Sequence, residues 1–266
     1  MLERLDKMMV QQGLAASRTQ AQRLIEAGAV KGRLQGQWLT LNKAAMKISS
    51  EVELHTQAID ELRYVSRAGL KLSLALEYLQ EQALWPVPSP LQNAFVLDVG
   101  QSTGGFTDCA IQHGAQRVVG VDVGHGQLAA ALRGNPKVVC LEGVNARTLP
   151  SALATEYTPT GFDIAVMDVS FISQRLLIDS VVANLKSNGW LLSLVKPQFE
   201  VGKDGIGKGG IVKDEALFDQ VEQVICSCLK EHNMRVSTYF SSGLDGSDGN
   251  REFFVLAQKT LADASV

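Results

Sequence analysis

The sequence predicts an α/β fold, an open sheet of seven mostly parallel strands covered by helices, behind a small α+β domain at the N-terminus. Three observations lead there. The apolar run Ala94-Phe95-Val96-Leu97 has the length and branching of a buried parallel strand. It feeds the glycine-rich stretch Asp98-Val99-Gly100-Gln101-Ser102-Thr103-Gly104-Gly105-Phe106 and a short helix over 107–114. Strand-sized apolar runs then alternate with helix-length segments towards the C-terminus. The first sixty residues differ in character, with two helical stretches, short strand-like runs and eight basic against six acidic side chains. A chain of 266 residues accommodates one large core and a small extra domain.

Taken in order, Leu2, Leu5, Met8, Met9 and Leu14 share one helical face, interrupted at Gly13. Ser17 is a natural N-cap for a second helix over 18–27, which Gly28 stops. Residues 29–32 and 38–41 read as short strands. A linker over 59–69 leads into a helix over 70–80, with Leu70, Leu74 and Leu76 inward and Lys71 in its first turn, where the helix dipole opposes a cation. The proline-spaced run 85–90 is a stiff, extended approach to the first strand. A second strand over 116–121 ends in Asp122, a third over 138–141 lies near Asn145, and a fourth over 162–167 ends in Asp168. A helix over 173–184 and a fifth strand over 190–195 follow, the strand ending in Lys196. Residues 201–213, rich in glycine and lysine, suggest a mobile loop at the mouth of a site. A helix over 215–231 and strands over 235–240 and 252–258 complete the sheet.

Composition excludes several classes. With 25 basic and 28 acidic residues there is no global basic field, but the small surplus of positive charge in the first sixty residues, on an otherwise acidic chain, points to an anionic partner such as RNA. The four cysteines form no C-x-x-C pair, so free thiols in a reducing cytoplasm are expected, with no metal site. The N-terminal residues lack a signal-peptide core, and no apolar run approaches the ~20 residues of a membrane helix. A cytoplasmic protein without membrane partners is the expectation.

Ligands of open α/β sheets bind outside the carboxyl ends of the strands. The glycine-rich turn admits a close-approaching ligand, and Asp122 is placed to accept hydrogen bonds from ribose hydroxyls, as in enzymes of both nicotinamide and S-adenosylmethionine (SAM). The glycine spacing is not G-x-G-x-x-G, which argues against a dinucleotide. At the same sheet edge Lys71, Asp168, Lys196 and Glu252 can converge, the last if its strand runs antiparallel. Such a cluster suits methylation of an alcohol: a lysine whose pKa is lowered by burial and a second cation takes the proton of a poorly nucleophilic hydroxyl. In this reading Lys196 is the base, Lys71 the neighbouring cation, Asp168 the holder of Lys196 and of the cofactor's methionine end, and Glu252 an orienting group.

Two resemblances sharpen this. Arg4, Leu5, Asp6, Val10, Gly13, Leu14, Ala15, Ser17, Arg18, Ala21, Leu24, Ile25, Gly28 and Val30 match, at the right spacing, the small RNA-binding fold named after ribosomal small-subunit protein four. The resemblance covers about residues 1–58 and implies that Arg4, Arg18, Gln22, Arg23 and Lys31 grip RNA, although residues 32–36 replace the usual V-N-G hairpin tip. Beyond it, S-R-A-G-L-K-L (66–72), D-V-G-Q-S-T-G-G-F-T (98–107), D-V-G-H-G-Q-L (122–128), D-V-S-F-I-S (168–173), V-K-P-Q-F-E-V-G-K (195–203) and G-N-R-E-F-F (249–254) resemble the TlyA family. Members of that hemolysin-like family join the RNA-binding module to an FtsJ-like, SAM-dependent methyltransferase domain of Rossmann-like fold, here over 70–260 with a tail at 261–266. The resemblance implies 2'-O-methylation of ribose in ribosomal RNA, typically at cytidine, on free RNA or ribosomal subunits. It carries the catalytic tetrad onto Lys71, Asp168, Lys196 and Glu252, and cofactor binding onto Asp98, Gly100, Ser102, Thr103, Gly104, Gly105, Phe106, Asp122, Val123, Asn145 and Asp168. Gln101 departs from the small residue usual in the cofactor loop, which bears on affinity, and His125 stands where an aromatic is common. The competing readings are a membrane-active hemolysin and an RNA-binding assembly factor without activity. A nicotinamide-dependent reductase is the third, although no hydride-transfer residues stand out.

Overall fold

The computed structural model describes residues 2–15, 17–34, 36–56, 63–84, 89–246 and 248–260. Part of the sequence-predicted linker (residues 59–62), residues 85–88 of the proline-spaced run and the tail 261–266 lie outside the described residues. The chain divides into two compact units, residues 1–64 and 65–266.

In the first unit β1 (Leu2–Arg4) leads into α1 (Leu5–Gln11), and α2 (Arg18–Glu26) starts on Ser17, whose hydroxyl accepts from the Gln20 amide at 3.2 Å. Gly28, at φ +72°, turns the chain out of α2 where an L side chain would be strained. Strands β2 (Val30–Leu34), β3 (Gln37–Thr40), β4 (Lys47–Ser49) and β5 (Leu54–Thr56) follow. β2 is the centre of an antiparallel three-stranded sheet flanked by β3 and β5, and β1 pairs with β4. Leu5, Met8, Met9, Leu24, Ile25 and Val30 form the core. Leu2 does not belong to the helical face assigned to it: it pairs with Ser49 in β1 and is 67% exposed. Strands of three residues are too short to display alternation, which is why β1, β4 and β5 left no signal in the sequence.

The second unit opens with α3 (Arg67–Glu81) and continues through β6 (Phe95–Val99), α4 (Gly105–Gln112), β7 (Arg117–Asp122), β8 (Val138–Glu142), α5 (Ala152–Tyr157) and β9 (Phe162–Met167). It ends with α6 (Ile178–Asn184), β10 (Leu185–Val195), α7 (Ala216–Glu231), β11 (Met234–Ser241) and β12 (Phe253–Lys259). The seven strands lie in the order β11-β12-β10-β9-β6-β7-β8, parallel from β10 to β8. β12 inserts antiparallel between β10 and β11. The chain winds outward from β6 in one direction and then restarts with β9 on its other side, so the ligand crevice of such a sheet falls between the ends of β6 and β9.

Two elements differ from the expectations. α3 begins at Arg67, which places Lys71 in the second turn, clear of the dipole's positive end, on the buried face with Leu72, Ala75 and Leu79; Leu70 and Leu74 are only half-buried. The helix expected over 173–184 breaks into a short 3-10 turn at Gln174–Leu176 and then α6. Gln174 is pinned there, its amide donating to Glu200 and its side-chain oxygen accepting from Ser193. The glycine-rich loop 201–213 is a series of tight turns anchored on Asn250, which accepts from the Val212 amide and donates to the Gly210 carbonyl.

Candidate active site

The sheet explains how residues distant in sequence meet. Asp168 directly follows β9, Lys196 directly follows β10, and Glu252 directly precedes the antiparallel β12, whose Phe253 pairs with Val195. These neighbouring strands therefore deliver the three side chains to one edge. Lys71 reaches the same place from α3, its Nζ lying 2.5 Å from Glu252 Oε2. Lys196 Nζ lies 2.5 Å from Asp168 Oδ1 and donates to Ser170 Oγ at 2.9 Å. All four side chains are at least four-fifths covered. Burial raises the pKa of Glu252, and the hydrogen bond and charge of Lys71 pull it back. Glu252 also offsets the positive charge of Lys71 directly.

Three contiguous cavities surround this cluster. A cleft of about 380 Å³ is lined by Gly100, Ser102, Asp122, Val123, Asn145 and Asp168 of the expected cofactor set, with Gln127, Val144 and the 169–172 loop completing it. A smaller one of about 130 Å³ adds Thr103, Gly105, Phe106, Ser66, Ala68 and Lys196. Asp98 and Gly104 line neither. Gly104, at φ +89°, begins α4 with Leu128 and Leu132 against it. Asp98 lies beneath the loop with no exposed surface, accepting from Thr107 Oγ1 at 2.6 Å, while Thr107 in turn accepts from Gln101 Nε2. Burial pushes the Asp98 carboxyl up to about 7, with the charges of Asp168 and Asp122 adding and Thr107 opposing. Asp122 accepts the amides of Ser102 and Gly124, each at 2.7 Å, and so shapes the loop it faces.

The two smaller residues of the loop are enforced by contact. A Cβ on Gly100, which sits at φ +85°, would come within 2.3 Å of the Asp168 carbonyl oxygen. One on Gly105 would come within 2.1 Å of Ser66 Oγ, itself buried without a partner at the wall of the smaller cavity. A glycine cradle, an unpaired buried hydroxyl, and a long cleft that ends beside an acid and Asn145 fit an adenosine-bearing cofactor with an amino-acid end. Gln101, expected to crowd the ligand, does line the smaller cavity, but its side chain turns beneath the loop against Gly120, where a Cβ would stand 2.0 Å from its Cδ. Gly120 supplies the room that a small residue at 101 would otherwise leave. His125 projects into solvent, 3.8 Å from Glu142.

A third cavity, of about 450 Å³, opens on the far side of Lys196 and is lined by Ser170, Phe171, Gln198, Phe199, Asp248 and Glu252, among others. Phe171 is 92% exposed at φ +64°, its ring 5.3 Å from that of Phe199. The sequence reading missed Ser66, Ser170, Phe171 and Phe199. Ser170 and Phe171 lie inside the D-V-S-F-I-S stretch, where their place directly after a strand end was the available signal.

In the first unit Arg4, Arg18 and Gln22 converge on the buried Asp6, at 2.9–3.0 Å. Arg4 first, then Arg18 and Gln22, hold the Asp6 carboxyl well below the usual range. Arg23 lies further along α2, and Lys31 on β2 opposite Thr40 and His55.

Residues 64–259 match the family described as FtsJ-like methyltransferase, and residues 3–31 match the S4 domain. The chain is 38% identical over 271 residues to the 16S/23S rRNA (cytidine-2'-O)-methyltransferase TlyA of Mycobacterium tuberculosis, covering 98% of this chain and 95% of that one. It is 33% identical over 255 residues to Hemolysin A of Brachyspira hyodysenteriae, covering 94% and 97%. A solved chain from Streptococcus thermophilus, described as a candidate hemolysin, superposes with a TM-score of 0.69 at 35% identity, covering 97% of this chain and 89% of that one.

Proposed function

The chain belongs to the FtsJ-like methyltransferases and uses SAM, and from that premise we propose that it methylates a ribose 2'-hydroxyl of ribosomal RNA, at cytidine, with Lys196 as the base. The reading is carried by one juxtaposition: Lys196, flanked by Asp168, stands between the cavities that fit the cofactor and the separate cavity bounded by Glu252, Phe171 and Phe199. The relative's cytidine-2'-O activity supports the choice of acceptor, and the S4 domain supports an RNA substrate.

In this mechanism Gly100, Ser102, Asp122, Val123 and Asn145 would hold the nucleoside half of SAM, while Thr103, Gly105, Phe106 and Asp168 would hold the methionine end. SAM supplies a methyl group on a positively charged sulfur, which leaves as a neutral thioether. The acceptor nucleoside enters from the Phe171 and Phe199 side. Lys196 Nζ would take the proton of the 2'-hydroxyl as that oxygen accepts the methyl group, and Asp168 would stabilise the resulting ammonium. Lys71 holds Glu252 at the edge of the acceptor cavity. Much of the rate comes from keeping oxygen, carbon and sulfur in line. The basic cluster around Asp6, with Arg23 and Lys31, contributes phosphate contacts. Among the described residues no helix is long and apolar enough to cross a membrane.

The test is transfer of labelled methyl from SAM to ribosomal subunits and to their free RNA, with 2'-O-methylation mapped for wild type and Lys196→Ala. Label at a cytidine 2'-oxygen that disappears in the variant is expected. Label on a base, or undiminished label in the variant, overturns the reading.

A further inference from the structure

Lys196 Nζ is contacted by two oxygens of different kinds. Asp168 Oδ1 is close, at 2.5 Å, but that oxygen accepts no well-directed hydrogen bond, so its hold on the lysine is mainly that of charge. Ser170 Oγ, at 2.9 Å, accepts a hydrogen bond of good geometry and is therefore what fixes the rotation of the nitrogen about its last carbon. Rotation matters for a base. A neutral amine carries two N–H bonds and one lone pair at tetrahedral angles. With one N–H held by Ser170 and the other drawn by charge towards the Asp168 carboxylate, the lone pair is biased to the remaining direction.

The loop bearing Ser170 is built to hold it still. Before it, the Asp168 amide donates to the Val99 carbonyl at 3.0 Å. After it, Glu200 accepts from Ser173 Oγ, the Gln174 amide and Arg175. Phe171, immediately following, adopts φ +64°, a conformation unfavourable for a non-glycine residue that persists only where its surroundings impose it. Ser170 also lines all three cavities, so its hydroxyl stands where cofactor, base and acceptor meet.

We propose that Ser170 is a positioning residue that aims the Lys196 lone pair at the acceptor hydroxyl; this rests on the reading of Lys196 as the base. Ser170 is exposed and outside the core, so its replacement leaves the fold intact.

The experiment measures single-turnover methyl transfer at saturating SAM and RNA, SAM and RNA affinities, and the pH–rate profile for wild type, Ser170→Ala, Ser170→Thr and Lys196→Ala. Ser170→Ala is expected to slow transfer about tenfold at every pH, because a hydroxyl that accepts from both ammonium and amine orients the group more than it alters its ionisation. Both affinities should stay within about twofold of wild type, and Ser170→Thr, which keeps the hydroxyl, should restore the rate. An unchanged rate in Ser170→Ala overturns the proposal. So does loss of SAM affinity, which would make the serine a cofactor contact, or a displaced pH profile, which would make it a modulator of acidity. Full activity in Lys196→Ala would remove the base and this inference together. An inactive Lys196→Ala beside a fully active Ser170→Ala removes the inference alone.

Discussion

Two aspartates, each without exposed surface, show how differently the units use a buried carboxylate. Asp6, in the first unit, is surrounded by donors: Arg4, Arg18 and Gln22 all bond to it, and its pKa is driven down. Asp98, in the second, receives one side-chain hydrogen bond from Thr107, its Oδ1 has no partner, and its pKa is driven up to about 7. The difference separates a finished structural joint from a strained support. Asp6 stabilises what stands on it and leaves 43% and 56% of the Arg4 and Arg18 side chains in solvent, available to phosphates. Asp98 lies under the glycine-rich loop, with its charge disfavoured, in a unit where Lys71 and Lys196 are only 10% and 13% exposed and each faces a carboxylate. Where the proposed work is binding a polyanion, cations are displayed. Where, in the proposed mechanism, a proton is transferred, they are covered.

Variants test this contrast, and the largest effect belongs to the covered lysines. Lys196→Ala should reduce methyl transfer by about 10²–10⁴-fold while SAM binding and thermal stability hold, as single-turnover rates and calorimetry will show. A fall in stability matching the fall in rate would make the lysine a structural joint like Asp6.

The pH dependence of the aspartates comes next, with opposite signs. Asp98 binds its proton more tightly folded than unfolded, so stability falls as pH rises from about 4 to about 7 and is level above that. The full effect is on the order of 4 kcal/mol. Asp98→Asn should therefore flatten the stability–pH curve across that window and be the more stable protein at pH 8, as urea denaturation at several pH values will report. Asp6 contributes in the other sense: its stabilisation is present above the ordinary carboxylate pKa and is lost as the pH falls below it.

Asp6→Ala should cost the first unit about 1–3 kcal/mol through lost charge-assisted hydrogen bonds. It should also weaken RNA binding several-fold in filter titrations, because Arg4 and Arg18 lose their fixed directions, with methyl transfer at saturating RNA unchanged. Equal RNA affinity in the variant would show that the arginines need no alignment. The smallest effect is at Gln101: Gln101→Ala should cost about 1 kcal/mol, the worth of the bond to Thr107, as measured by thermal unfolding. Adding Gly120→Ala, which clashes beside Gln101 in the wild type, should then be tolerated.

Much of this molecule was legible in the order of its residues. The strand Phe162–Met167, the Ser17 cap, the glycine turn after β6 and the acid ending β7 follow from local pattern: side-chain period, capping chemistry and the conformational freedom of glycine act within a few residues. The family resemblance extended that reading to a methyltransferase with an RNA-binding domain. Convergence of Lys71 and Glu252, 181 positions apart, was expected only on condition that the last strand ran antiparallel, and it is the sheet that meets the condition, by inserting β12 antiparallel beside β10. Other long-range contacts left no trace in the sequence. Gln101 looked obstructive until Gly120, on the neighbouring strand, was seen to make room for it. Lys71 proved buried because it shares the packed face of α3 with Leu72, Ala75 and Leu79, and Ser170 gained significance only from the nitrogen 2.9 Å away. Local pattern sets which elements form, since each arises from interactions among near neighbours. Which side chains then face one another depends on strand order and direction, and those are decided when the whole sheet assembles.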